Sequence, residues 1–281
     1  MRTRSIDEIY QLLGARVMRR EYDQTASELV PSFSPSMAAV QGATRAHYRR
    51  IDILAQSTAG ISQPMACTKG CSSCCHGTVA VTAHEAFVLG EAILSIPDAG
   101  QRHAIVSTLY KQATQQHEGA TADAQSSAPC ALLDGNGACS VHDARPTACR
   151  KHHSFDVRTC RSTGAGVGTA PDPRVPTSRS FTLAAEAASE GFRSATRDSG
   201  LDATEYEMSS ALCEYLSDRI ASRRRYESGE PAFLRAIVPA IGHRPTVGLP
   251  PELPRHQLRA GPARHARLGS ADMTTARPLT L

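Results

Sequence analysis

Cysteine is the residue that most constrains how this chain can fold. Eight of the nine cysteines in its 281 residues lie between Cys67 and Cys160. Four of them fall in a single run, Cys67-Thr-Lys-Gly-Cys71-Ser-Ser-Cys74-Cys75-His76. Such a run brings several sulfur atoms close together, which is typical of a disulfide framework in an oxidising compartment and of metal ligands or catalytic thiols in a reducing one.

The expected redox compartment decides between these two chemistries. Residues 1–23 alternate charged and apolar side chains and lack the continuous apolar region of a secretory signal. No stretch approaches 18 uncharged apolar residues, so we expect no membrane-spanning helix. We therefore expect a cytoplasmic protein with reduced thiols, and nine cysteines cannot all pair within one chain. The cysteines are interpreted as metal ligands.

The local shape of the run has two alternatives. On a helix, the pairs Cys67/Cys71 and Cys71/Cys74 would project from one face, whereas a turn at Gly70 would form a knuckle. Either shape brings the sulfurs together, and a cation would remove the repulsion between their thiolates. Cys74 and Cys75 are neighbours whose side chains point apart in most backbone geometries, so they would serve two metal sites or leave one thiol spare.

The second half of the segment supplies further sulfurs. Cys130 and Cys139 flank Asp134-Gly135-Asn136-Gly137, which predicts a tight hairpin turn that brings the two cysteines close. With Cys149 and Cys160 added, two four-sulfur sites are arithmetically available. The histidines that would serve as substitute ligands or support the ligands are His76, His142, His152 and His153.

Three motifs in a fixed order give the segment a family resemblance. They are the C-x3-C-x2-C-C run, Gly137-Ala-Cys139-Ser-Val-His, and Arg145-Pro146-Thr-Ala-Cys149-Arg150, with Cys130-Ala-Leu-Leu between the first two and Cys160 after the last. Over residues 64–160 this order resembles the zinc- or iron-chelating domain of bacterial cysteine-cluster proteins. The chain departs from that pattern at His142, where the family often has an aromatic residue, and at Ala131, where it often has proline.

The resemblance implies a set of metal ligands. They are Cys67, Cys71, Cys74, Cys75, Cys130, Cys139, Cys149 and Cys160. A closed zinc site would use four of these with sulfurs at about 2.3 Å, and a 4Fe-4S cluster would also take four thiolates. The sulfur-only core favours the iron-sulfur cluster, although the spacing differs from the ferredoxin run C-x2-C-x2-C.

The predicted function is metal chelation by the cysteine cluster, with a metal ion or cluster as partner. One branch that resembles this family is the flagellin lysine N-methylase. It implies an alternative function, an iron-sulfur-dependent lysine N-methyltransferase with a protein substrate. A nucleic-acid partner is not expected, because aromatic residues make up 5% of the chain and its net charge of +4 is carried by residues 243–281.

Two further side-chain types are interpreted structurally. Cys213 falls on an apolar helical pattern with Leu212 and Leu216, so we expect a small buried hydrophobic residue there. Arg145 and Arg150, which the resemblance includes in its signature, are expected to pair with acids such as Asp143 and to balance the thiolates.

Helical periodicity dominates the rest of the chain and predicts a mainly α fold. A capping-box spacing, Thr82 followed by Glu85, marks the start of one helix. Helices are predicted at 5–22, 37–56, 82–97, after Asp98, at 181–195 and at 205–222. They would enclose an irregular, metal-stapled, cysteine-rich segment with a small hairpin. We expect one domain over residues 1–242 and a disordered Arg- and Pro-rich tail over 243–281.

Overall fold

The structure is a computed structural model. It describes residues 5–29, 35–59, 64–117, 128–164, 166–167 and 172–236. The predicted tail at 243–281 and the domain boundary at residue 242 lie outside these ranges.

The described part of the chain is mainly helical, as predicted. Its helices are α1 Ile6–Leu29, α2 Met37–Ala59, α3 Ala83–Leu94, α4 Ala99–His117, α5 Thr147–Lys151, α6 Val157–Thr163, α7 Arg179–Asp198, α8 Met208–Ser217 and α9 Arg219–Glu227, with a short 3-10 turn at His142–Ala144. None of the helices in the described ranges combines the length and apolarity that crossing a membrane requires.

The strands β1 (Ala80–Thr82) and β2 (Glu205–Glu207) form a two-stranded antiparallel sheet. Val81 pairs with Tyr206 at its centre, and both residues are buried. Each strand leads directly into a helix, α3 or α8, and because the strands are antiparallel the two helices begin at opposite ends of the sheet.

The predicted turn at 134–137 forms as well. The Asp134 N–H donates to the carbonyl of Ala138 at 2.8 Å, and the Gly137 N–H donates to the carbonyl of Asp134 at 3.0 Å. Gly137 has φ +76°, a left-handed conformation that glycine adopts without strain. An isolated bridge between Leu133 and Cys139 closes the turn, so the hairpin is a single bridge rather than a pair of strands.

The single helix predicted over residues 205–222 is wrong, because two carboxylates divide the segment. Glu207 accepts hydrogen bonds from the N–H groups of Ser209 at 2.9 Å and Ser210 at 2.7 Å, which starts α8 only after β2. Asp218 has φ −148° and accepts from the Ala221 N–H at 2.9 Å, which ends α8 and starts α9. Acceptor side chains at such positions satisfy the free N–H groups of a helix start.

The hydrophobic core surrounds α3. Phe87 on this helix has its ring centroid 5.0 Å from that of Tyr215 and 5.1 Å from that of Tyr226, and all three side chains are buried. Val79, Leu132 and further residues of the cysteine-rich segment join the same core. Four cysteines pack against it while remaining partly accessible: Cys74, Cys130, Cys139 and Cys149. The cysteine-rich segment therefore has one side on the core and one side on a cleft.

Candidate metal centre

Seven of the eight predicted cysteine ligands line one cleft. They are Cys67, Cys71, Cys74, Cys75, Cys130, Cys139 and Cys149, and the lining also includes His76, His142, His152 and Arg145. The cleft, here called the thiol cleft, contains about 820 Å³ of empty space, counted with the part that opens to solvent. Both halves of the cysteine-rich segment contribute to it.

The first half of the segment is built from two successive turns. The Cys71 N–H donates to the Thr68 carbonyl at 3.0 Å, with Gly70 at φ +94° between them. The Cys75 N–H then donates to the Ser72 carbonyl at 2.9 Å. Of the two predicted shapes, the Gly70 knuckle is the one that forms, and a glycine is needed there because other residues rarely adopt that φ.

Backbone hydrogen bonds attach the second half to the first. The Cys130 N–H donates to the Cys75 carbonyl at 2.8 Å, and His76 forms an isolated bridge with Pro129. The Val167 N–H donates to the Cys74 carbonyl at 3.1 Å. The carbonyls of Cys74 and Cys75 therefore both accept hydrogen bonds from the second half of the segment.

A buried carboxylate positions the part of the chain that carries Cys149. Oε1 of Glu85 accepts a hydrogen bond at 2.7 Å from the N–H of Thr147, the first residue of α5. Oε2 of Glu85 accepts one at 3.0 Å from the Thr82 N–H. Burial would raise the pKa of Glu85, but the neighbouring His84 and these hydrogen bonds outweigh it and lower that pKa. The capping-box spacing predicted the second contact, whereas nothing in the sequence indicated the first.

Cys74 and Cys75 do not point apart, contrary to the expectation from their adjacency. Their thiols are hydrogen-bonded to each other, and both line the thiol cleft. This bond lowers the pKa of Cys75 to about 7 against the opposing effect of burial, with help from the charge of Arg145. The same bond raises the pKa of Cys74, because its thiol keeps the shared proton.

Four further cleft thiols hold their protons more tightly than a free cysteine. Burial raises the pKa of Cys67, Cys139 and Cys149 and raises that of Cys130 to about 12. Arg145 opposes this effect at the first three of these thiols. Its charge therefore favours thiolates in the cleft, which is the balancing role predicted for it.

Arg150 has a different role from the predicted pairing with the Asp143 side chain. It binds the Asp52 carboxylate of α2 at 2.6 Å, and its Nε donates to the Arg145 carbonyl at 2.8 Å. Its guanidinium lies 4.4 Å from the centre of the Tyr48 ring. Its contact with Asp143 is with the backbone carbonyl, because the Asp143 side chain is 94% exposed. Arg150 thus fastens the loop that carries Arg145 onto α2.

The histidines divide into two groups. His76, His142 and His152 line the thiol cleft, and His152 Nε2 is buried with no hydrogen-bond partner among the described residues. Burial lowers the pKa of His152, as do the neighbouring His153 and His76. His153 lies elsewhere, because both of its ring nitrogens are engaged in the fold, with the Ser178 N–H at 2.7 Å and the Lys151 carbonyl at 2.9 Å.

The last two cysteines lie away from the cleft lining. Cys160 is buried on α6 against Val175, and of the eight predicted ligands, all within the described ranges, it alone is not part of the lining. Its thiol is near enough to Cys67 that its charge raises the pKa of that cysteine. Cys213 is buried in the core on α8, which confirms its predicted role as a small hydrophobic residue.

A comparison with known families supports the chemistry of this segment. Residues 66–165 match the CxxCxxCC family model, which is described as a "Putative zinc- or iron-chelating domain". The match confirms the predicted family resemblance. It covers about a third of the chain and includes all eight cysteines of the segment. No curated protein and no solved structure matches the chain.

The donor set of the thiol cleft fits zinc or iron, since both metals bind cysteine sulfur and both accept imidazole nitrogen. The donors are not yet arranged as a finished site. Within the described residues, no group of three or more Cys, His, Asp or Glu side chains is placed to hold a metal ion. Protonated thiols pack as small apolar groups, whereas four sulfurs on one zinc ion would each lie about 2.3 Å from it.

Proposed function

We propose that the thiol cleft chelates a metal, either a zinc ion or an iron-sulfur cluster, through cysteine thiolates from both halves of the segment. The observation that carries this proposal is the seven-cysteine lining of one cleft. Chance does not readily explain the dense run at residues 67–76, nor why Cys130, Cys139 and Cys149 line the same cleft as that run.

Metal binding in this cleft is coupled to proton release. The pKa of most cleft thiols is raised by burial, so a metal must displace their protons to bind. Cys75 and Arg145 lower that cost, because one thiol already ionises near neutral pH and the guanidinium stabilises the negative charge of the others. Chelation is therefore expected to strengthen as pH rises.

Binding is also coupled to folding. The first half of the segment, 64–76, contains turns and no helix, and its links to the second half include single backbone hydrogen bonds such as Cys130 to Cys75. A metal that joins sulfurs from both halves would add its binding free energy to the stability of this region. When bound, zinc would fix the loops, and an iron-sulfur cluster would in addition supply a redox centre.

Anaerobic purification followed by metal and acid-labile sulfide analysis tests the proposal. Zinc without sulfide identifies a zinc site, and iron with sulfide identifies a cluster. The variant Cys149→Ala is expected to lose most of the metal, whereas the control Cys213→Ala keeps it, because Cys213 lies in the core outside the cleft. Protein that carries neither metal after loading, or equal metal content in the two variants, would reject the proposal.

The methyltransferase alternative is supported by the sequence resemblance alone. Nothing in the described residues favours a methyl-donor site, so it is not part of this proposal. Methyl transfer from S-adenosylmethionine to a lysine-bearing protein, lost on Cys74→Ser, would establish it.

A further inference from the structure

His152 is the residue of the cleft whose placement most clearly indicates a ligand. It follows α5, the helix that carries Cys149, and its imidazole ring lines the thiol cleft. Its Nε2 atom is buried, and no described residue offers it a hydrogen bond. Leaving a buried nitrogen without a hydrogen bond is unfavourable, so a fold that retains one normally gives that atom another use.

The adjacent residue, His153, differs from His152 in the hydrogen bonds that its ring makes. His153 uses both ring nitrogens, with the Ser178 N–H and the Lys151 carbonyl, and its ring packs on Phe181 with the centroids 4.9 Å apart. Neither ring nitrogen of His153 is therefore available to bind a metal. The ring of His152 instead shares its cleft with seven thiols, which are the groups that bind a metal together with imidazole.

We propose that Nε2 of His152 is a metal ligand that, with three cleft cysteines, forms a zinc site. This inference rests on the proposed function of the cleft. In the binding step, three thiols each lose a proton to solvent and form a sulfur–zinc bond. The neutral imidazole binds through the lone pair of Nε2 and loses no proton. No electron is transferred, and the net charge of the site becomes −1, which the guanidinium of Arg145 balances.

The choice of zinc follows from the mixed donor set. Three sulfurs and one imidazole nitrogen make a common closed zinc site, with Zn–S near about 2.3 Å and Zn–N near about 2.0–2.1 Å. A four-iron cluster held by four thiolates would leave the buried nitrogen of His152 without a role.

The test uses the full chain loaded with zinc, with X-ray absorption at the zinc edge and cobalt substitution as two spectroscopic readouts. The expected zinc shell contains three sulfurs and one nitrogen. In His152→Ala, the nitrogen should leave the shell, the d–d bands of the cobalt form should shift, and zinc affinity should fall at least tenfold. His103→Ala, which removes an exposed histidine on α4, is the control and should leave all three readouts unchanged.

The outcomes separate this inference from the proposed function. If the wild-type chain binds neither zinc nor iron, the proposed function fails. If it binds zinc through sulfur alone, or binds only an iron-sulfur cluster through four thiolates, chelation stands and the role of His152 is refuted. If His152→Ala does not fold, nitrogen-15 spectra of the wild-type histidines decide, since the Nε2 resonance of His152 must shift when zinc is added; an unchanged resonance indicates that another partner, such as a buried water, satisfies this atom.

Discussion

Replacing Glu85 by alanine removes a carboxylate that holds two distant parts of the chain. Glu85 is 5% exposed, and it accepts backbone N–H groups from Thr82 and Thr147, both of which are buried. The second contact joins α3 to the N-terminal end of α5, two residues before Cys149. The variant therefore tests whether a core helix positions one wall of the thiol cleft.

The magnitude follows from the hydrogen bonds that are lost. A hydrogen bond to a charged group contributes about 1.5–3 kcal/mol, and each buried N–H left without an acceptor costs about 1–3 kcal/mol. Glu85→Ala should therefore lower the free energy of unfolding by about 3–5 kcal/mol. Glu85→Gln keeps one oxygen acceptor for two N–H groups, so we expect a loss of about 1–3 kcal/mol.

The acidic range supplies a second check. The pKa of Glu85 is lowered from 4.5 in the folded protein, so its contribution to stability is complete above that value and is lost as pH falls below it. The difference between the wild type and Glu85→Gln should therefore shrink below about pH 4.5.

Urea unfolding followed by circular dichroism at pH 7 and pH 4 measures both effects, and an unchanged m-value shows that the comparison is valid. The exposed Glu230→Ala is the matched control and should change stability by less than about 0.5 kcal/mol. A loss below about 1 kcal/mol for Glu85→Ala, or a Glu85→Gln difference that does not vary with pH, would refute the reasoning.

Three further outcomes are expected. Gly90→Ala should lower the free energy of unfolding, measured by chemical denaturation, by about 1–2 kcal/mol, because the new Cβ would overlap the buried ring of Tyr215. This overpacking outweighs the gain in helix propensity, and a stabilised variant would contradict the prediction. Burial lowers the pKa of His84 from 6.5 to about 4, so the free energy of unfolding should fall by about 3 kcal/mol between pH 6.5 and pH 4. His84→Gln should flatten this part of the plot of stability against pH, and an equally steep plot would exclude His84 as its source. In metal-loaded protein, Cys71→Ala should lower the melting temperature more than Cys213→Ala, because it removes a ligand. After chelation the order should reverse, since only Cys213 is buried in the core, and equal shifts in both states would show that Cys71 is not a ligand.

Local signals in the sequence predicted much of this fold. The apolar periodicity of residues 181–195 located α7, which runs from Arg179 to Asp198. The Thr82 and Glu85 spacing located the start of α3, and the Asp-Gly-Asn-Gly stretch located the turn before Cys139. Each of these features depends on side chains within a few residues of one another, which is the range over which a sequence pattern determines structure.

The features that were missed depend on contacts over long sequence distances. The strands β1 and β2 are three residues each, too short for an alternating pattern, and their pairing joins Val81 to Tyr206. The contact of Glu85 with Thr147 spans 62 residues. His152 and His153 are chemically identical in the sequence, and they differ only because the fold supplies partners for both nitrogens of His153.

The most direct test of the account is an alkylation map of all nine cysteines, read by mass spectrometry on metal-loaded protein and on the same protein after chelation. If the thiol cleft binds a metal, at least three of its seven cysteines should be protected only while the metal is present, and Cys213 should behave alike in both samples. An identical pattern of labelling in the two samples would contradict the account, because it would mean that no cleft thiol is a ligand.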